Sequence, residues 1–410
     1  MKTSSALLLA STLGGVFAAP ASTQSGVTFS ATTTFNGKSR HVAHDLERAF
    51  NKYVPAEKRA EILASLASSN TARSTGSAIT NPEPNSDHVD ALYLTEVKIG
   101  TPAQTLKLDF DTGSSDLWVF STDTDSSVVN GQTLYNPKSS TSAKQIPGET
   151  WAIHYADESQ CSGIIYSDDV TVGGLTVKGQ AVESAQTVSQ QFTDDAQSSG
   201  LLGLALSKGN TASPTKQKTW FDNISASLDK KLFTVRLRHQ AAGSYNFGYI
   251  DSKQYSGAIS YTPASTDDLG HRLFKSNGYS IGSGATKSAS ITGTADTGTS
   301  LFILPDTIAN AYWAGVKGAQ KVAINNGAGH AWLYPCSTTL PSFNFNVGSG
   351  KATVPGADMN FAPNGNGQCV GGIATLSGLG GISIFGDVAL KSNLVIFDDA
   401  NNQLGWAKGL

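Results

Sequence analysis

Phe110-Asp-Thr-Gly-Ser-Ser-Asp-Leu-Trp118 and Ala295-Asp-Thr-Gly-Thr-Ser300 write the same acidic turn twice in one chain. Each copy follows an extended run, Leu106-Lys-Leu-Asp-Phe110 and Ile291-Thr-Gly-Thr-Ala295, and each leads into apolar sequence, Leu117-Trp-Val-Phe120 and Leu301-Phe-Ile-Leu304. Such runs bounded by Gly-containing turns read as strands. Gly113 and Gly298 allow a turn in which backbone can approach closely, and Ser114 and Thr299 offer hydroxyl donors to the carboxylates of Asp111 and Asp296. A single Asp-x-Gly is ordinary turn composition. Here a second element repeats with it: Gly200-Leu-Leu-Gly203 ends 92 residues beyond Asp111, and Ile384-Phe-Gly386 ends 90 residues beyond Asp296. The chain therefore reads as two related halves, each bringing one carboxylate to a shared site.

The sequence around this repeat fixes the class. From Ala91 onward it is β in texture, with strand patterns at 92–99, 151–155, 232–237 and 394–397, and Gly makes up 42 of 410 residues. Helical patterns are short, chiefly 220–228 and 305–314. About 320 residues exceed one comfortable core and suit two mostly β lobes, 90–255 and 256–410.

The beginning has a different character. Lys2, the apolar stretch 6–17 and Val16-Phe-Ala18 read as a signal peptide over 1–19. Residues 20–75 carry seven Lys or Arg against four acids, with a helical pattern in Glu61-Ile-Leu-Ala-Ser-Leu66. Setting these and Lys2 apart from 29 basic and 32 acidic residues leaves 21 against 28 from residue 76 onward. A basic segment before an acidic body reads as an electrostatically held propeptide, ending between 70 and 90 in a stretch rich in Ser, Thr, Asn and Pro. No segment has the roughly 20 apolar residues that a spanning helix needs. The expectation is a secreted, extracellular monomer without a membrane anchor; delivery to a vacuole is the alternative.

Cys336 and Cys369 both fall in the second half and are read as a disulfide, which leaves Cys161 as an odd thiol, either buried and inert or a liability. Asn223-Ile-Ser225 is a glycosylation sequon in the body. An acidic body disfavours nucleic acid. The seven histidines form no His-Glu-x-x-His segment, so neither metal nor cofactor is expected. Gly278-Tyr-Ser-Ile-Gly282 has the spacing of a serine nucleophile elbow but lacks a helix-forming sequence after it.

With these residues in view, the chain resembles the pepsin-like aspartic proteases, and especially their fungal secreted members of the penicillopepsin and aspergillopepsin kind. The similarity runs from Ala91 to Leu410. It implies an all-β, bilobal fold with a cleft between two related lobes, and an aspartic endopeptidase acting on protein and peptide substrates at acidic pH. Asp111 and Asp296 would share a proton and activate a water. The resemblance makes residues 151–163 a mobile hairpin, with Tyr155 covering substrate and Trp118 supporting it. It implies apolar S1 residues at Phe192 and Leu201, a primed-side contact at Thr294, and acceptance of Lys beside large hydrophobic residues at P1 through Asp157 and Ser159. Lys52-Tyr53 is similar to the inhibitory element of the family's propeptide, and pepstatin-like transition-state mimics should inhibit. Three features depart from the family. The hairpin reads Ala156-Asp157-Glu158 in place of Gly-Asp-Gly, Cys161 stands in that hairpin, and Gly270-His-Arg-Leu-Phe274 replaces a more aromatic segment. A non-catalytic peptide-binding relative of the same fold is the competing reading.

Overall fold

The computed structural model describes residues 32–35, 38–41, 73–84, 89–324 and 327–410. The chain forms two compact units, Met1–Ser74 and Thr75–Leu410. In the first, strands Thr32–Phe35 and Lys38–His41 pair antiparallel. The signal segment at 1–19, the helical pattern at 61–66 and Lys52-Tyr53 lie outside the described residues.

The second unit is built of strands, with short helices such as Trp220–Ile224 and Asp306–Trp313. Strand Leu232–Arg238 is buried along nearly its whole length and is paired on each side, with Ala241–Phe247 and Asn393–Asp398. The same antiparallel sheet continues through Gln403–Gly409 to Tyr255–Thr266 at one side and through Gly76–Pro82 at the other. It therefore gathers strands from the start, middle and end of the unit, and the two lobes share it.

Gly76–Pro82 falls within the expected processing zone, yet it is a strand. Its Gly, Ser, Ala and Thr read as linker composition, but alternate residues, Gly76, Ala78 and Thr80, are buried. It pairs with Ala241–Phe247 and also with Tyr93–Ile99, so tertiary hydrogen bonding outweighs weak local propensity. The body of the protein thus begins before residue 90.

The repeat seen in the sequence is a repeat in sheet register. Gly200–Gly203 runs parallel to Gln104–Asp111, placing Gly203 opposite Asp111, and antiparallel to Leu117–Phe120. In the second half Ser383–Phe385 runs parallel to Lys287–Ala295, placing Phe385 opposite Ala295, and antiparallel to Phe302–Ile303. Each acidic turn is thus clamped between the two strands that flank it and a third inserted between them. The backbone bonds across the two turns are alike but one residue out of step: Ala205 N–H donates to Ser114 O at 2.9 Å, whereas Asp387 N–H donates to Thr299 O at 2.8 Å and Val388 N–H to Ser300 O at 3.0 Å.

Cys336 and Cys369 form the expected disulfide, with Cα atoms 5.1 Å apart. Cys161 is a buried free thiol. The serine-elbow spacing at 278–282 lies largely within strand Arg272–Ile281, and Ser280 Oγ accepts from Asn344 Nδ2 at 3.1 Å, so that serine is a sheet residue. The unusual Arg272 is also structural. Its guanidinium makes two bonds to Asp399, at 2.7 and 2.8 Å, and a third at 2.6 Å to the carbonyl of Leu204, beside the first acidic turn. A buried guanidinium needs such complete pairing.

Candidate active site

Asp111 and Asp296 meet at the junction of the two repeats. Each is less than a tenth exposed. A methyl group on Gly113 would fall 2.5 Å from Asp296 Oδ1, and one on Gly298 would fall 2.4 Å from Asp111 Oδ1. Each carboxylate therefore rests on the glycine of the opposite turn, where any side chain would collide.

Within its own turn each carboxylate is held in the same way. Asp111 Oδ1 accepts from Gly113 N–H at 2.7 Å, and its Oδ2 accepts from Ser114 Oγ. Asp296 Oδ1 accepts from Gly298 N–H at 3.0 Å, and its Oδ2 accepts from Thr299 Oγ1 at 2.8 Å. These bonds account for Gly113, Ser114, Gly298 and Thr299. Burial, and then the neighbouring charge of Asp296, push the Asp111 carboxyl up to about 7, with the Ser114 and Gly113 donors working in the opposite direction.

Two residues given no role in the sequence reading hold the turns together. Thr112 Oγ1 donates to Ala295 O at 2.8 Å and accepts from Thr297 N–H at 3.0 Å. Reciprocally, Thr297 Oγ1 donates to Phe110 O and accepts from Thr112 N–H at 3.1 Å. Both threonines are almost fully buried. The signal was present in the sequence, since both copies have Thr between Asp and Gly; nothing local says that the two hydroxyls cross to each other's strand.

The expected hairpin is formed by strands Lys144–His154 and Gln160–Val172. At its tip Tyr155 OH accepts from Trp118 Nε1–H at 2.9 Å. Phe192 packs edge-on against both Trp118 and Tyr155, with ring centroids 4.9 and 5.7 Å away. Leu201 belongs to the same buried cluster. Asp157 is exposed at the tip, and its Oδ1 accepts from Ser159 N–H at 3.0 Å and Ser159 Oγ at 2.6 Å. Glu158 takes a φ of +70°, a conformation that glycine adopts without cost.

Two remaining site residues stand differently. Thr294 is buried, between Leu273 and Ile384 in the sheet register. Asn223 is exposed on helix Trp220–Ile224, and its Nδ2 donates to Gln180 Oε1 at 2.8 Å. Among the described residues no group of His, Cys, Asp or Glu side chains is arranged to hold a metal ion.

Paired acidic turns on a duplicated β framework define an aspartic protease, and the chain belongs to the family described as eukaryotic aspartyl protease, whose model matches residues 92–409. It is an aspartic endopeptidase of the pepsin-like class. It is 54% identical over 338 residues to endothiapepsin of Cryphonectria parasitica, covering 82% of this chain and 78% of that protein. It is 46% identical over 396 residues to aspergillopepsin-1 of Aspergillus pseudoglaucus, covering 96% and 95% of the two. Podosporapepsin of Podospora anserina is 46% identical over 339 residues, covering 82% and 77%.

Proposed function

We propose that the chain is a secreted acid endopeptidase in which Asp111 and Asp296 hold one proton between them. The observation that carries this reading is the crossed packing of each carboxylate on the other turn's glycine. Two buried carboxylates this close cannot both ionise cheaply. The proton belongs to the pair; with it on Asp111, whose carboxyl burial raises, Asp296 is the base. Asp296 takes a proton from a water placed between the two acids as the water oxygen bonds to the peptide carbon. Asp111 gives its proton to the carbonyl oxygen, forming a tetrahedral diol. Asp296 then returns its proton to the amide nitrogen, Asp111 recovers one from a hydroxyl as the carbonyl re-forms, and the carbon–nitrogen bond breaks. Ser114 and Thr299 keep the carboxylates in plane with the reacting water, while Thr112 and Thr297 fix the distance between the turns.

Tyr155, Phe192 and Leu201 supply an apolar wall suited to large hydrophobic P1 residues, and exposed Asp157 supplies a charge suited to P1 Lys. Residues 1–19 direct secretion. Residues from 20 to just before strand Gly76–Pro82 form a propeptide released in acid, since a cut beyond that strand would strip the shared sheet. Lys52-Tyr53 supplies its inhibitory contact. The mature enzyme is an extracellular monomer, with an N-glycan acceptor at Asn223; no helix among the described residues is long and apolar enough to cross a membrane.

The test is D296N, purified and compared with the parent on a protein substrate in acid, with and without pepstatin. The expected result is a folded variant with turnover reduced by at least about a thousandfold, and a parent blocked by pepstatin but not by chelators or serine reagents. A folded D296N cutting at the parent rate refutes the mechanism.

A further inference from the structure

A second pair of acids is buried close to the active-site turn. Asp116 lies at the end of the first repeat, and Glu183 lies on strand Leu175–Val188, opposite Trp118 in register; each is 1% exposed. Asp116 Oδ1 accepts from Thr211 N–H at 2.9 Å, Thr211 Oγ1 at 2.9 Å and Asn210 Nδ2 at 3.0 Å. Glu183 Oε1 accepts from the same Asn210 Nδ2, at 2.9 Å. The other two oxygens, Asp116 Oδ2 and Glu183 Oε2, are buried with no donor from the protein. Two carboxylates in that position would leave both oxygens unsatisfied and two like charges adjacent. One proton between them resolves both problems.

The donors decide where that proton sits. Asp116 has three donors to stabilise its charge and Glu183 has one, so Glu183 is the acid and Asp116 the acceptor. Burial, and then the Asp116 charge, push the Glu183 carboxyl well above the usual range. The other ionisable groups facing the pair do little to oppose this. The Cys161 thiol on the adjoining strand and the Tyr155 phenol at the hairpin tip are both pushed up by burial and remain neutral, while Asp111 is a further acid near Tyr155. Lys216 is the cation acting on Asp116, and its Nζ donates to the carbonyls of Lys208 at 2.6 Å and Asn210 at 3.0 Å.

We propose that Glu183 is a positioning residue: in its acid form it donates to Asp116 and fixes the floor beneath Trp118 and Tyr155, and loss of that proton toward neutral pH loosens this part of the first lobe. The route is short. Asp116 O accepts from Gly203 N–H at 2.8 Å, and Trp118, two residues on, holds Tyr155. The catalytic pair limits activity at high pH by losing its general acid; this second pair would limit the fold. Because the native state binds the Glu183 proton more tightly than the unfolded chain, the stabilisation is complete below the unfolded carboxyl value. It is lost as pH rises from there toward the folded value, at about tenfold in the folding equilibrium per pH unit.

The test is E183Q, made in the D296N background so that self-digestion is absent and the titration of the remaining Asp111 is common to both proteins. Glutamine copies the acid form: its amide can donate to Asp116 Oδ2 and its carbonyl can accept from Asn210. Urea unfolding is followed by tryptophan fluorescence at a series of pH values from acid to neutral. The expected result is a pH dependence flatter by about one proton, with the midpoint of neutral unfolding shifted upward by about one pH unit. The reciprocal variant D116N, whose amide can donate to ionised Glu183, should flatten the same slope. If E183Q folds and keeps the parent's slope, the proposal fails. If E183Q does not fold, a parent-like slope in D116N overturns it instead. The readout is folding, so it stands apart from whether the chain cuts peptides.

Discussion

Thr297→Val tests the link between the two halves most directly. Valine keeps the shape of threonine and removes two hydrogen bonds: the donation from Thr297 Oγ1 to Phe110 O, and the acceptance of Thr112 N–H at 3.1 Å. Phe110 O keeps a second donor, Tyr245 OH at 3.2 Å, so that loss should cost about 0.5 to 1.5 kcal/mol. Thr112 N–H is left without its acceptor at a position 1% exposed, which should cost about 1 to 3 kcal/mol. The sum is about 1.5 to 4.5 kcal/mol. Thr297→Ser is the control, since it keeps the hydroxyl and should cost roughly 1 kcal/mol for the lost methyl. Both are measured by urea unfolding in the D296N background. In the active enzyme T297V should also lower kcat/KM by about ten- to a hundredfold, because Gly298, the seat of the Asp111 carboxylate, is the next residue. The reasoning is refuted if T297V is no less stable than T297S, for then the crossed hydroxyl bonds contribute nothing.

Three further outcomes follow from the site. With Asp111 raised from the ordinary carboxylate range to about 7, its proton is bound in the native state and absent from the unfolded chain between those values, so this group's stabilisation is present in acid and lost as pH rises toward about 7. The kcat/KM profile should fall through the same region, and a rise through neutrality would contradict a proton shared by the pair as the general acid. At the hairpin tip, Glu158→Gly should relieve a strain of roughly 1 kcal/mol at φ +70° and raise stability by up to that amount, whereas E158A should not; equal effects of the two would mean the backbone there is unstrained. Asp157→Ala should reduce kcat/KM for a P1 Lys peptide by at least about tenfold relative to its P1 Phe counterpart, and equal proportional losses would show that Asp157 only shapes the tip through Ser159.

The sequence alone determined the class of fold and the identity of the two acids, because both are written locally and twice. An Asp-Thr-Gly turn between apolar runs constrains its own backbone, and Gly203 and Gly386 recur at matching distances because each half builds the same local register. The Tyr155 hairpin was expected from the family resemblance; the residues themselves showed only a strand pattern at 151–155, and the pairing with Gln160–Val172 completes it. What the sequence did not reveal depends on contacts between distant segments. Nothing near Gly76 announces a strand, since its partners at 241–247 are far along the chain and it is their hydrogen bonds that order it. The threonines between Asp and Gly look like turn filler until the two turns face each other and their hydroxyls cross. The proton shared by Asp116 and Glu183 is further still from view. A carboxylate's ordinary preference is to face water as an anion, and only the closing of the first lobe over both side chains removes that water and makes one of them an acid.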